Sequence, residues 1–328
     1  MAPALFWGNK MKIVILERNS VGEDIDVSDF GQFGELVSYP TTKPDQVAER
    51  IEDADIIVVN KSPITAEVLS KARNLKMVAE FATGFDNIDI EECRKKGIAV
   101  ANVSGYSTDS VAQHTMTMAL YLLEHLSYYD DYVQSGAYAA SSSFSNFDRR
   151  FDELGALTWG IIGMGAIGRK VASIVSAFGC RVIFHSVTGQ SKVTEYEQVS
   201  FEELLKQSDI LSLHCPLTDL TRHLIDEAAL SKMKQSAILI NCARGGVVDT
   251  AALARALKED MIGAAGLDVL EKEPIRADDP LLEIRDGQKL IITPHMAWGS
   301  TQARGRLVRE ACDNIRAFLN GEMRNRVV

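Results

Sequence analysis

Short apolar runs alternate with longer, polar-faced segments along the first third of the chain. Thr65 is placed to cap a helix, and Gly97 stands where a helix-ending glycine belongs. Apolar runs of this length between helices predict the buried strands of a parallel sheet with crossover helices. The predicted strands are residues 12–16, 55–59, 76–81 and 98–102.

A second series of strands and helices begins at Trp159. Before it, residues 107–126 are apolar nearly all round, which predicts a long helix buried on several sides. Residues 300–322 form one amphipathic helix, and the pattern alone does not say which series it joins. The predicted strands of this series are residues 159–163, 181–185, 210–215, 237–242, 264–269 and 290–293. The chain is therefore predicted to be an α/β protein with two doubly wound parallel sheets.

The composition fits a globular protein with two domains, because the chain has 328 residues, 46% of them apolar and 24% charged. The formal net charge of -10 argues against nucleic acid or a membrane surface as the main partner. Five cysteines without a Cys-x-x-Cys pair or a Cys/His cluster indicate neither a disulfide scaffold nor a metal site, and they favour the cytoplasm. Residues 1–10 lack the features of a signal peptide and are predicted to be a leader outside the fold.

Gly163, Gly165 and Gly168 match the G-x-G-x-x-G pattern between a predicted strand and a predicted helix. In such a loop the first glycine permits a tight turn, the second lets the backbone approach a pyrophosphate, and the third allows close helix–strand packing. The helix start adds amide donors and a partial positive charge. The spacing therefore predicts a dinucleotide site.

The residue that would select the dinucleotide is not the usual acid. An acidic residue is expected about 20 residues after the loop, but Ser186 lies 18 residues after Gly168. A serine hydroxyl suits either a ribose hydroxyl or a 2′-phosphate, and the nearest basic residue that follows is Lys192, with His185 beside the serine. NAD and NADP both remain open, with NAD favoured.

Three polar residues each follow a predicted strand of the second series: Arg244, Glu273 and His295. An open parallel sheet binds its ligands beyond the carboxyl ends of its strands. Each residue alone is more typical of a structural role. Beside a dinucleotide loop, however, the three together are what hydride transfer to a 2-keto acid requires.

The motifs as a set resemble those of the D-isomer-specific 2-hydroxyacid dehydrogenases. The resemblance covers roughly residues 55–320 and includes ATGFDNID (82–89), GYSTDSVAQHT (105–115), the glycine loop, LINCARGGVVDTAAL (239–253), GLDVLEKEP (266–274) and TPHMAW (293–298). It implies a Rossmann-type cofactor domain, residues 108–298, inserted into a flavodoxin-like substrate domain made of residues 11–107 and 299–328. It also implies a homodimer formed through the cofactor domain and its long helix.

The resemblance assigns a role to each of the three polar residues. His295 is expected to be the general acid that protonates the carbonyl oxygen, and the base in reverse. Glu273 is expected to pair with it and favour the imidazolium; it is preferred to Glu271 because the family's glutamate directly precedes proline. Arg244 is expected to bind the keto acid with its planar, bidentate guanidinium.

The same resemblance predicts the remaining contacts. The backbone of Thr83 and Gly84 is expected to receive the substrate carboxylate, which places the active site in a cleft that closes on binding. His114 is expected to be structural, and Trp298 either shapes the substrate pocket or is a core residue. The positions expected along the cofactor are Thr83, Gly163, Gly165, Ala166, Ile167, Gly168, Ser186, Cys215, Cys242, Ala243 and Asp268, the last near the nicotinamide amide.

The substrate is predicted from two segments, 59–65 and 103–115, which look most like the glycerate dehydrogenase and hydroxypyruvate reductase branch. They favour reduction of hydroxypyruvate to D-glycerate, with glyoxylate as a second substrate. Pyruvate or a branched 2-keto acid is the alternative within the family. A dinucleotide-sensing corepressor, or a protein that binds a dinucleotide without turnover, is the alternative of another class.

Overall fold

The computed structural model describes residues 11–328, so the prediction for residues 1–10 lies outside the described residues. The strands are β1 (Met11–Ile15), β2 (Gly34–Ser38), β3 (Ile56–Val59), β4 (Met77–Glu80), β5 (Ala99–Ala101), β6 (Thr158–Ile162), β7 (Arg181–His185), β8 (Glu197–Gln198), β9 (Ile210–Leu213), β10 (Ile238–Asn241), β11 (Ala264–Leu267) and β12 (Leu290–Ile292). The α-helices are α1 (Val47–Ile51), α2 (Ala66–Lys71), α3 (Ile90–Lys96), α4 (Thr108–Leu123), α5 (Leu126–Gln134), α6 (Ala166–Ala177), α7 (Phe201–Gln207), α8 (Glu227–Leu230), α9 (Thr250–Lys258) and α10 (Thr301–Leu319). Short 3-10 helices lie at Arg18–Val21, Ser28–Phe33, Pro44–Gln46, Leu154–Ala156, Gly245–Val247 and Pro280–Glu283.

The described chain divides into two compact units. The first unit comprises the described residues up to Ser107 together with Gly299–Val328, and the second is Thr108–Trp298. Among residues 11–328, no helix is both long and apolar enough to cross a membrane.

The first unit is built on a five-stranded parallel sheet within the described residues, in the order β2-β1-β3-β4-β5. This is the flavodoxin-like strand order. The predicted helix signals are confirmed, because Thr65 Oγ1 accepts a hydrogen bond from Val68 N and Gly97 ends α3 with φ +68°. Helix α10 packs against β4, so the C-terminal amphipathic helix belongs to this unit.

The second unit contains a seven-stranded parallel sheet within the described residues, in the order β12-β11-β10-β9-β6-β7-β8. This order is that of a Rossmann fold with one added strand. From the boundary between β6 and β9, successive strands are added outwards on either side, so the strand order reverses there. Apolar side chains fill both faces. One face packs Trp159, Val171 and Phe184 with α4 and α6, and the other packs Leu211 and Leu253 with α7 to α9.

Helix α4 corresponds to the predicted long helix, although it ends earlier than expected. It buries a broad face that includes Val111, Met118 and Leu122, while Gln113 is exposed. His125, with φ +52°, separates it from α5. A left-handed residue without helical dihedral angles breaks the helix, so the predicted single element is two.

Candidate active site

The glycine loop lies where the strand order of the second sheet reverses. Gly163 follows β6 and has φ +94°, which favours glycine. A Cβ there would lie 2.7 Å from His214 O and 2.9 Å from Cys215 N, the residues that follow β9. The first glycine is therefore required by a tight turn against the neighbouring strand.

The other two glycines of the loop differ in what surrounds them. A Cβ on Gly168 would lie 2.1 Å from Gly163 O, so this glycine allows α6 to pack against the loop. At Gly165, no atom of the described residues lies within 4 Å of the Cβ position, apart from the local backbone around the glycine itself. Gly165 is also the N-cap of α6, and no side chain of the described chain caps that helix end. The loop thus has an open cradle below uncapped amides, which fits the pyrophosphate of a dinucleotide.

A buried hydrogen-bond chain ends beside this loop. The indole of Trp159 donates to Ser212 Oγ (2.8 Å), and the same hydroxyl shares a hydrogen bond with His214 Nε2 (3.1 Å). The other ring nitrogen of His214, Nδ1, is buried and has no hydrogen-bond partner within the described part of the chain. Burial lowers the pKa of His214 to about 3. The ring is therefore neutral, and Nδ1 is a buried polar atom that the described chain leaves unsatisfied.

Strand β7 ends at His185, and Ser186 follows it. His185 Nδ1 donates to Val199 O (3.2 Å) and its ring packs against Phe201, so its contacts are with the segment after β8. Lys192 is exposed farther along the same connection. His185 is thus engaged within the protein, which leaves Ser186 as the candidate contact with the adenosine ribose.

His295 and Glu273 are in direct contact. His295 Nδ1 lies 2.6 Å from Glu273 Oε2, and Glu273 Oε1 accepts a hydrogen bond from Leu270 N (3.0 Å). Glu271 instead pairs with His223, at 2.7 Å. Because Nδ1 of His295 donates to the carboxylate, Nε2 is the nitrogen available for proton transfer to a substrate.

Asp268 holds the loop that carries His295. Its Oδ1 accepts hydrogen bonds from Met296 N (2.8 Å) and Thr293 Oγ1 (2.6 Å), and its Oδ2 accepts one from Ala297 N (2.9 Å). Its main-chain oxygen accepts from His295 N (2.8 Å). His295 has φ +53°, which costs roughly 1–3 kcal/mol in a residue with a side chain and persists only where the surroundings impose it.

This role of Asp268 was not found in the sequence, although one signal was available. Asp268 directly follows β11, and the His295 loop follows β12, its parallel neighbour in the sheet. The contact with a nicotinamide amide stays a prediction.

His114 Nε2 donates to Thr293 Oγ1 (2.9 Å), because the threonine hydroxyl itself donates to Asp268. His114 thus supports the same loop from α4.

Arg244 follows β10, the strand next to β11. Asn241, fully buried at the end of β10, donates from Nδ2 to Arg244 O (3.0 Å) and accepts from Ala243 N (3.0 Å). A Cβ on Gly245 would lie 2.0 Å from Leu270 O, so the Arg244 loop lies directly against the loop that carries Glu273. The ends of β10, β11 and β12 thus bring Arg244, Glu273 and His295 to one edge of the sheet.

The two cysteines at this edge are not nucleophiles. Burial raises the pKa of Cys215 to about 11 and that of Cys242 to about 12, so both stay protonated thiols at neutral pH. Any contact with a cofactor is expected from their backbone. Trp298 packs against the core cluster that contains Trp159, which favours a role as a core residue over a role in shaping the substrate pocket.

Thr83 and Gly84 lie in the first unit, after β4. Thr83 Oγ1 donates to Val103 O (2.8 Å), and Asn102 Nδ2 donates to Thr83 O (2.6 Å). The loop is therefore fixed at this point by the residues that follow β5. Their contact with a substrate stays a prediction.

Comparison with known proteins identifies relatives over nearly the whole chain. Residues 116–297 match the family described as "D-isomer specific 2-hydroxyacid dehydrogenase, NAD binding domain". The chain is 38% identical to the glycerate dehydrogenase of Methylorubrum extorquens over 96% of its own length and 98% of the relative's. Among solved structures, it resembles D-lactate dehydrogenase from Aquifex aeolicus complexed with NAD and lactic acid (TM-score 0.83, 34% identity, 95% and 96% covered). It also resembles an acyclic imino acid reductase in complex with NADPH and D-Arg (TM-score 0.87, 29% identity, 97% and 100% covered).

Proposed function

Because the chain belongs to the D-isomer-specific 2-hydroxyacid dehydrogenases, we propose that it reduces hydroxypyruvate reversibly to D-glycerate with NADH or NADPH. The observation that carries this proposal is the 2.6 Å contact between His295 Nδ1 and Glu273 Oε2, at the sheet edge that also holds Arg244. Similarity to the glycerate dehydrogenase of Methylorubrum extorquens supports the choice of substrate. Glyoxylate is the second substrate of the proposal.

The proposed roles follow from the geometry of the site. A reduced nicotinamide supplies the hydride when it is bound. His295 donates the proton on Nε2 to the carbonyl oxygen, while Glu273 stabilises the imidazolium and fixes the ring through Nδ1. Arg244 offers a planar pair of donors to the keto acid, which orients it and polarises its carbonyl.

We assign the open cradle at Gly165 to the cofactor pyrophosphate, so the second unit is the proposed cofactor domain and the first the proposed substrate domain. Ala166, Ile167 and Gly168 begin α6 and supply its first amides. His214, whose backbone lies against Gly163, adds an unsatisfied buried polar atom, Nδ1, which supports a ligand in this place.

A second copy of this chain is the proposed partner, bound through the second unit. Phe144, Phe147 and Phe151 are 90%, 82% and 53% exposed. Their segment is held in place by hydrogen bonds, such as that from Tyr129 Oη to Arg149 O (2.6 Å). Ordered aromatic side chains in water are typical of a protein-binding surface. Sedimentation equilibrium is expected to show a dimer, and a Phe144→Ser/Phe147→Ser variant a monomer.

The proposed compartment is the cytoplasm. The five cysteines all lie within the described residues, and all five are free and buried. Thiols that remain unpaired suit a reducing environment.

The proposed activity is tested by following nicotinamide absorbance with hydroxypyruvate, glyoxylate, pyruvate and a branched 2-keto acid, each with NADH and with NADPH. The expected result is fastest turnover of hydroxypyruvate, and the ratio of the two cofactor rates decides the role of Ser186. No turnover on any substrate, with NADH still bound, would support the corepressor or binding alternative instead. Preference for a branched keto acid would keep the reaction class and overturn the substrate.

A further inference from the structure

A second histidine–glutamate pair lies beside the first in the second unit. His223 Nε2 and Glu271 Oε1 are 2.7 Å apart, and Glu271 is two residues from Glu273. The proposed mechanism does not use this pair. His223 has 44% of its side chain exposed and Glu271 33%, so the pair by itself adds little to folding stability. The pair does, however, join two loops of the site.

The Glu271 carboxylate connects its own loop to the start of α9. The same oxygen, Oε1, also accepts a hydrogen bond from Thr250 N (3.4 Å), the first residue of that helix. The partial positive charge at a helix N-terminus favours a carboxylate there. Glu271 is therefore anchored to the helix that directly follows the Arg244 loop.

His223 is anchored to the same loop by its backbone. His223 N donates to Gly246 O (2.8 Å), two residues after Arg244. Its φ is +50°, a conformation that a residue with a side chain keeps only where its surroundings hold it. The Gly246 contact and the Glu271 contact both hold it.

The two loops joined in this way already touch. A Cβ on Gly245 would lie 1.9 Å from Leu270 C and 2.4 Å from Glu271 N, so backbone rests on backbone. Leu270 N in turn donates to Glu273 Oε1 (3.0 Å). A shift of the Glu271 segment away from Gly245 would therefore displace the Glu273 carboxylate.

We propose that Glu271 is a positioning residue that, with His223, fixes the spacing between Arg244 and Glu273. The proposal rests on the proposed function, which assigns keto-acid binding to Arg244 and support of His295 to Glu273. Loss of the pair lets the two loops separate. Substrate binding then weakens because Arg244 moves relative to His295, and the imidazolium is less stabilised because Glu273 moves away.

The test compares Glu271→Ala with Glu271→Gln, which keeps an oxygen acceptor for His223 and Thr250. Glu202→Ala is the matched control, because Glu202 forms an exposed pair with Lys206 (2.8 Å) in the same unit, on α7. Steady-state kinetics with hydroxypyruvate are measured across pH. We expect Glu271→Ala to raise KM about 3- to 30-fold and to move the alkaline decline of the reduction rate to lower pH. Glu271→Gln is expected to recover most of the loss.

NADH affinity and thermal midpoint are measured for every variant, and both are expected to match the wild type. A Glu271→Ala variant with wild-type KM and pH profile would overturn the proposal, as would a lower thermal midpoint with unchanged kinetics. If the wild type turns over no 2-keto acid, the proposed function and this proposal fail together. An active wild type with an unaffected variant removes this proposal alone.

Discussion

Gly165 and Gly168 are only three residues apart, but replacing each with alanine is expected to have opposite effects. Apart from the local backbone, none of residues 11–328 reaches within 4 Å of a Cβ on Gly165, whose φ of -72° and ψ of -162° alanine can adopt. Gly165→Ala is therefore expected to fold normally. Because alanine restricts the unfolded chain more than glycine does, the substitution is expected to stabilise the folded protein by about 0.4–1 kcal/mol. For a unit of this size, that corresponds to a rise of up to about 4 °C in Tm.

The added methyl occupies the cradle assigned to the pyrophosphate. If it displaces one backbone hydrogen bond to a charged group, the loss is about 1.5–3 kcal/mol. That corresponds to a rise of about 10- to 150-fold in the Kd for NADH. Gly168→Ala instead places a Cβ 2.1 Å from Gly163 O, and the overlap is expected to cost about 1–3 kcal/mol of folding stability.

Calorimetric titration with NADH and differential scanning calorimetry measure the two effects on the same preparations. A Gly165→Ala protein that binds NADH as tightly as the wild type would show that the cofactor does not approach this glycine. Equal falls in Tm for both variants would contradict the difference in packing on which the reasoning depends.

Three further predictions concern single side chains. Burial raises the pKa of Glu80 well above its usual value, so the folded wild type keeps a proton that the unfolded chain releases. Wild-type stability should therefore fall by up to about 1.4 kcal/mol per pH unit above about pH 4.5, and Glu80→Gln should remove this contribution. Urea unfolding midpoints that change equally between pH 5 and pH 8 in the wild type and in the variant would contradict this. Asp268→Asn places an amide donor opposite backbone N–H groups, so it should lower stability by about 1–3 kcal/mol and reduce kcat through the His295 loop; wild-type values of both would refute the assigned role. Arg244→Lys loses the bidentate fork and should lower kcat/KM for hydroxypyruvate about 10- to 150-fold, so unchanged kinetics would remove Arg244 from the site.

The central strands of both sheets could be predicted because parallel strands buried on both faces are continuous apolar runs. The edge strands β2 and β8 could not. Gly34–Ser38 is only partly buried, and Glu197–Gln198 is exposed on both residues. Neither strand has the apolar run by which the other two edge strands, β5 and β12, could be predicted.

Convergence of Arg244, Glu273 and His295 could be expected because the carboxyl ends of neighbouring parallel strands share one edge. What holds them there could not. The hydrogen bonds that Asp268 accepts from Met296 N and Ala297 N depend on the orientation of one buried carboxylate, and sequence spacing does not encode that orientation. The same holds for the pairing of Glu271 with His223.

The central claim is that His295 transfers the proton during hydride transfer to a 2-keto acid. Single-turnover oxidation of prebound NADH by hydroxypyruvate, followed by stopped flow in the wild type and in His295→Asn, tests it most directly. The account predicts a rate at least about 100-fold lower in the variant, with NADH affinity unchanged. A variant that oxidises NADH at the wild-type rate would contradict it.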